Sequence, residues 1–131
     1  MSRRFPRSRV RSGIIGAMSD EEIVALILEE VLLELPSSLR ETLRNVEFVV
    51  GDLGVSYLGL YHGVPLPKRG SPGYTFVLPD RIVISPKSIR RVAPSEEEFR
   101  KKVREVILHE IGHYFGFGEE ELWRLFRGRE E

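Results

Sequence analysis

The chain has 131 residues, a length typical of one domain, and its 41% of apolar residues can build one modest core. It contains no cysteine, so disulfides and thiolate metal sites are excluded, and we expect a reducing, cytoplasmic location. Twenty acidic and twenty basic residues balance, so the overall charge predicts no nucleic-acid partner.

Charge is distributed unevenly along this neutral chain. Residues 1–17 contain five arginines and no acid, so the remainder carries five excess negative charges. We expect residues 1–18 to form a flexible basic arm before a domain at 19–131, with at most a weak nucleic-acid contact through the arm. The longest unbroken apolar run, Ile23 to Leu28, has six residues, which is too short to span a membrane.

The first helix is predicted from about Asp20 to Leu35. Ser19 and Glu22 have the spacing of a capping box, and Pro36 ends the apolar pattern. A short second helix is expected over residues 38–44. Three segments rich in β-branched or aromatic residues are then predicted to be strands: Val46–Val50, Leu58–Tyr61 and Arg81–Ser85.

The connections between these segments are less regular. His62–Pro67 is expected to leave the sheet, because its two prolines cannot both pair. Lys68–Gly73 is a polar loop and a candidate flap, and Tyr74–Leu78 is a further candidate for extended structure. Residues 89–92 are expected to form a short connection with helical character.

The last third is predicted to be helical. Ser95 and Glu98 have the spacing of a second capping box, and Gly116 is expected to end this helix in a left-handed conformation after Phe115. A short helix is expected from Glu119 to Phe126. The long helix has one apolar arc, formed by Phe99, Val103, Val106, Ile107, Ile111 and Tyr114.

The long helix carries the motif HExxH beside its apolar arc. His109 and His113 are four residues apart and lie on one helical face, so both imidazoles can bind one zinc ion. Glu110 is adjacent, where a general base for a zinc-activated water belongs. The next glycine and acid complete the spacing HExxHxxGxxE, which makes Glu119 the predicted third ligand.

The chain resembles a family of small, mostly bacterial zinc metallopeptidases with a minimal zincin-like fold. The resemblance rests on Leu58–Leu66, Leu78–Ile84 and the segment from Val103 to Leu122. It implies an α+β fold in which a small sheet of three to four strands packs on an N-terminal helix and the HExxH helix. It also implies a zinc-dependent hydrolase. The family often has Asp where this chain has Glu119, so Glu120 remains an alternative ligand.

These observations predict a metallopeptidase that hydrolyses a peptide or protein substrate. Polar candidates for stabilising the oxyanion are Tyr61, His62, Tyr74 and Tyr114. The alternative is a non-catalytic, zinc-stabilised peptide-binding module. A structural zinc is normally closed by a fourth protein ligand, which Glu120 or His62 would have to supply.

Overall fold

A computed structural model of the chain describes residues 3–4, 18–63, 80–118 and 120. In chain order its elements are β1 (Arg3–Arg4), α1 (Asp20–Glu34), α2 (Ser37–Thr42), a 3₁₀ turn (Leu43–Asn45), β2 (Val46–Val50), β3 (Gly59–His62), β4 (Asp80–Ile84), α3 (Pro86–Val92) and α4 (Glu96–Tyr114).

The strands form one mixed sheet in the order β1-β2-β4-β3. The central pair, β2 and β4, is parallel, with Val46 opposite Asp80. On one side β3 runs antiparallel to β4, with Gly59 opposite Ile84, and on the other β1 runs antiparallel to β2. Among the described strands, β3 is therefore the outermost one beyond β4.

The core lies between the sheet and the two long helices, since α4 packs on α1, β3 and β4. The predicted apolar arc of α4 is buried along its length. It meets the inward side chains of α1, β2 and β4, which include Ile23, Ile27, Val31, Phe48, Ile82 and Ile84. The fold is thus α+β, with the sheet packed on the N-terminal helix and the HExxH helix.

Local hydrogen bonds fix where the long helices begin. In α1, the Glu22 N–H donates to the Ser19 hydroxyl at 3.1 Å, and the Ser19 N–H donates to the Glu22 carboxylate at 2.9 Å. The first predicted capping box is therefore confirmed. In α4, Ser95 accepts from the Glu98 N–H, but its own hydroxyl donates to the Glu98 carboxylate. The backbone half of the second predicted box is not formed.

Two predicted boundaries are wrong. His62 does not leave the sheet: it is the last residue of β3 and lies opposite Arg81, because the prolines that follow it do not affect its own pairing. The connection after β4 is helical from Pro86 onward. Proline at the first helical position needs no hydrogen-bond partner for nitrogen and has a helical φ already.

Several predictions concern residues outside the described part of the chain. The flap at Lys68–Gly73, the extended segment at Tyr74–Leu78 and the last helix from Glu119 to Phe126 fall in this group, apart from Glu120. The division of the chain into an arm and a domain stays a prediction. The backbone of Arg3 and Arg4 pairs with Val50 and Val49.

No helix in the described part of the chain is both long enough and apolar enough to cross a membrane.

Candidate metal centre

The last two turns of α4 bring three potential metal ligands together. Potential ligand atoms of His109, Glu110 and His113 all lie within 4.8 Å of one another. The two imidazole rings meet edge to face, with centroids 4.8 Å apart. This follows from the helical spacing, because the buried arc holds one side of α4 on the sheet and leaves the histidines half-buried beside it.

Glu110 lies on the side of α4 that packs against β3. Its side chain is buried, with 7% of its surface exposed. A Cβ atom at Gly59 would lie 3.2 Å from the Glu110 Cγ and 2.6 Å from the Val106 Cγ1. The missing side chain at Gly59 therefore allows β3 to pack directly over the helical turn that carries the predicted base.

A Schellman motif ends α4 directly after the second histidine. The Phe117 N–H donates to the Gly112 carbonyl and the Gly116 N–H to the His113 carbonyl, each at 3.0 Å. Gly116 has a φ of 92°, as the sequence predicted for a left-handed cap. The turn brings the Phe117 carbonyl oxygen to 3.0 Å from the Nδ1 atom of His113.

The ligand set beyond the two histidines stays partly a prediction. Glu119 lies outside the described residues. In the part of the chain that is described, neither Glu120, which is exposed, nor His62 joins the group of potential ligands. The structure therefore offers no fourth protein ligand from these two residues.

The two described tyrosine candidates for an oxyanion donor have their phenol protons engaged. The Tyr61 hydroxyl donates to the Asp80 carboxylate at 2.8 Å, and the Tyr114 hydroxyl donates to the Thr42 carbonyl at 3.0 Å. A phenol has one proton to donate, so neither is poised for a substrate oxygen. His62 is exposed at the end of β3, where strand alternation places it on the opposite face from Tyr61.

Sequence reasoning did not identify Asp80 or Gly59 as parts of this region. Asp80 is 5% exposed and accepts from Tyr61, which packs edge to face on Tyr114 beside the second histidine. The sequence signals were an acid at the start of an apolar strand and a glycine within another. Both become informative only when β3 is known to lie over α4.

The donor set fits zinc. Two imidazole nitrogens and a nearby carboxylate are typical of protein zinc sites, and the chain contains no competing thiolate. The neutral histidine that binds a metal through one ring nitrogen usually donates from the other. His113 has such an acceptor in the Phe117 carbonyl.

Comparison with protein families agrees with this geometry. The model of a family described as Zincin-like metallopeptidase matches residues 40–128, a span that contains β2, β3, β4, α3 and α4. The chain belongs to this family. The resemblance and the α+β, minimal zincin-like fold predicted from the sequence are thereby confirmed. Comparison with curated proteins finds no match.

Membership of the zincin-like metallopeptidases gives the HExxH group its chemical context. The family implies zinc binding, and the matched span includes the motif together with the strand that packs over it. It does not by itself identify a substrate or a third ligand.

Proposed function

We propose that the chain is a zinc-dependent metallopeptidase that hydrolyses peptide bonds, with Glu110 as the general base. One observation carries the proposal. His109, Glu110 and His113 converge within 4.8 Å on the turns of α4 that lie beside β3, within a family of zincin-like metallopeptidases.

His109 and His113 would hold the zinc ion, with Glu119 as the third ligand. When bound there, zinc supplies a Lewis acid that polarises a carbonyl group and makes water more acidic. The chain contributes the spacing of both imidazoles through the helix, and the Nδ1 atom of His113 lies 3.0 Å from the Phe117 carbonyl oxygen.

Glu110 has the position that a proton-transferring carboxylate needs. It is next in sequence to His109, and burial beneath β3 restricts its rotamers. In hydrolysis its carboxylate accepts a proton from the attacking water and then delivers that proton to the leaving amine. A glutamate in this position has no comparable role in a purely structural zinc site.

The substrate we propose is an extended segment of a peptide or protein. β3 is the edge strand on the β4 side of the described sheet, and its Gly59 packs over the turn that carries Glu110. A peptide that pairs with such a strand forms backbone hydrogen bonds with it and extends the sheet by one strand. The scissile bond would then run beside the metal centre.

A second hypothesis, a zinc-stabilised module that binds peptides without cutting them, is favoured by one specific observation. The phenol protons of Tyr61 and Tyr114 are already donated within the fold, so these two candidates do not provide an oxyanion donor. Binding along β3 needs no oxyanion donor, whereas hydrolysis would need one from a residue other than these two tyrosines.

Metal removal and restoration distinguish the two hypotheses. The full chain, loaded with zinc, is incubated with a peptide library, and products are identified by mass spectrometry. We expect cleavage that disappears on chelation and returns when one equivalent of zinc is added. Zinc-loaded protein that binds library peptides yet produces no new termini would support the non-catalytic module instead.

A further inference from the structure

The turn that follows α4 contacts the metal centre as well as ending the helix. In the Schellman motif the carbonyl of Phe117 is returned toward the helix and lies 3.0 Å from the Nδ1 atom of His113. This return depends on Gly116, whose φ of 92° is a conformation that residues with a β-carbon rarely adopt.

The chemistry of this contact defines which ring nitrogen carries the proton. A carbonyl oxygen can only accept, so a hydrogen bond at this distance requires Nδ1 of His113 to donate. In the neutral ring the lone pair is then on Nε2. A free neutral imidazole exchanges between two tautomers, whereas this contact favours the one that presents Nε2 to a metal.

We propose that Gly116 and the Phe117 carbonyl are positioning residues that hold His113 in its metal-binding tautomer and orientation before zinc arrives. The inference rests on the proposed zinc site, but it does not depend on peptide hydrolysis. Gly116 thereby has two roles, since the same left-handed conformation ends α4 and aims the carbonyl.

The first test compares zinc affinities of full-length variants by competition with a chromogenic chelator. Gly116→Val places a β-branched residue at a positive φ and should weaken zinc binding by about tenfold or more. Gly116→Asn should stay close to the wild type, because asparagine tolerates the left-handed conformation. Gly54→Val is the matched control: Gly54 also has a positive φ, of 71°, with no atom near its missing Cβ.

The second test reads the tautomer directly and does not require a variant to fold. In metal-free wild-type protein at about pH 8, ¹⁵N NMR distinguishes protonated from unprotonated ring nitrogens. We expect His113 to carry its proton on Nδ1. In a folded Gly116→Val chain this preference should be lost, and in Gly116→Asn it should persist.

The outcomes separate this inference from the proposed function. A wild-type His113 protonated on Nε2, or a Gly116→Val variant with wild-type zinc affinity, would overturn it. If Gly116→Val fails to fold, the wild-type spectrum decides alone. A protein that binds zinc with the expected tautomer but cleaves no peptide would refute the peptidase proposal and leave the role of the turn intact.

Discussion

At the scale of single residues, the most informative position is one without a side chain. Gly59 lets β3 lie directly on α4, because a Cβ there would be 2.6 Å from the Val106 Cγ1 and 3.2 Å from the Glu110 Cγ. Two non-bonded carbon atoms do not come as close as 2.6 Å, so either the strand or the helix would have to shift. The position of the proposed general base, Glu110, is therefore coupled to the packing of one glycine.

Gly59→Ala should destabilise the fold by about 1 to 3 kcal/mol through overpacking, and it should also lower the rate of peptide hydrolysis. The double variant with Val106→Ala removes the closest clash, so its stability should be higher than the sum of the two single effects predicts. Urea unfolding of the four proteins measures this coupling. Additive effects, or a Gly59→Ala chain as stable as the wild type, would refute the proposed contact.

The third zinc ligand is a second question for single residues. Glu119→Ala should weaken zinc binding at least about tenfold, since it would leave two protein ligands where three are usual. Glu120→Ala is the matched control, because Glu120 is exposed and does not join the described ligand group. A chelator competition that shows loss only in Glu120→Ala would reverse the assignment.

At the scale of elements, a residue of α2 supplies hydrogen bonds to the carbonyl groups at the end of α1. The last turn of α1 contains no basic residue. Arg40 in α2 supplies the charge, with its guanidinium donating to the Leu32 carbonyl at 2.9 Å and to the Leu35 carbonyl at 3.0 Å. The Leu32 carbonyl also accepts from the Leu35 N–H at 3.3 Å, so Arg40 adds a charged donor at the end of α1 and complements the helix dipole.

Arg40→Ala should lower the free energy of unfolding by about 1.5 to 3 kcal/mol, the usual range for hydrogen bonds to charged groups. Arg44→Ala is the control, since Arg44 pairs with Glu41 on the exposed surface of neighbouring turns and should change stability by less than about 0.5 kcal/mol. Chemical denaturation compares them. Equal effects of the two substitutions would show that the contacts of Arg40 with α1 are unimportant.

A salt bridge between Arg90 of α3 and Glu96 connects the start of α4 to α3. Hydrogen bonds from Arg100 and then from Arg90 hold the pKa of Glu96 below its ordinary value of 4.5. A carboxyl whose pKa is lower in the folded chain binds fewer protons there than in the unfolded chain. Its contribution to stability is therefore complete above about pH 4.5 and is lost as the pH falls through the folded pKa.

Glu96→Gln should destabilise the protein most above about pH 5, and its difference from the wild type should shrink as the pH falls toward 3. Glu97→Gln, on the same first turn, controls for the interaction of any carboxylate with the helix dipole. Unfolding free energies measured between pH 7 and pH 3 decide the point. Parallel curves for the wild type and Glu96→Gln would contradict the proposed linkage.

At the scale of the whole molecule, features set by nearby residues were predictable from the sequence. The capping box at Ser19, the strand at Val46–Val50, the left-handed Gly116 and the grouping of His109 with His113 all depend on residues within a few positions of one another. Helical geometry and glycine stereochemistry determine these features without knowledge of the rest of the fold.

The features that the sequence did not reveal join distant segments. Three such features are the parallel pairing of β2 with β4, the packing of Gly59 against α4, and the hydrogen bond from Tyr61 to Asp80. The residues in each become neighbours only in the complete fold. His62 was misplaced for a related reason. Its pairing depends on Arg81 across the sheet, whereas the prediction weighed only the prolines that follow it.

We propose that this zincin-like metallopeptidase uses Glu110 for proton transfer at a zinc site held by His109 and His113. Glu110→Gln preserves the size of the side chain but removes its basicity, so zinc content and peptide cleavage should respond differently. Elemental analysis should find about one zinc per chain in both proteins, since Glu110 is not a predicted ligand. Peptide cleavage should fall by at least about a hundredfold in the variant. A variant that retains zinc and cuts the same peptides at the wild-type rate would contradict the account.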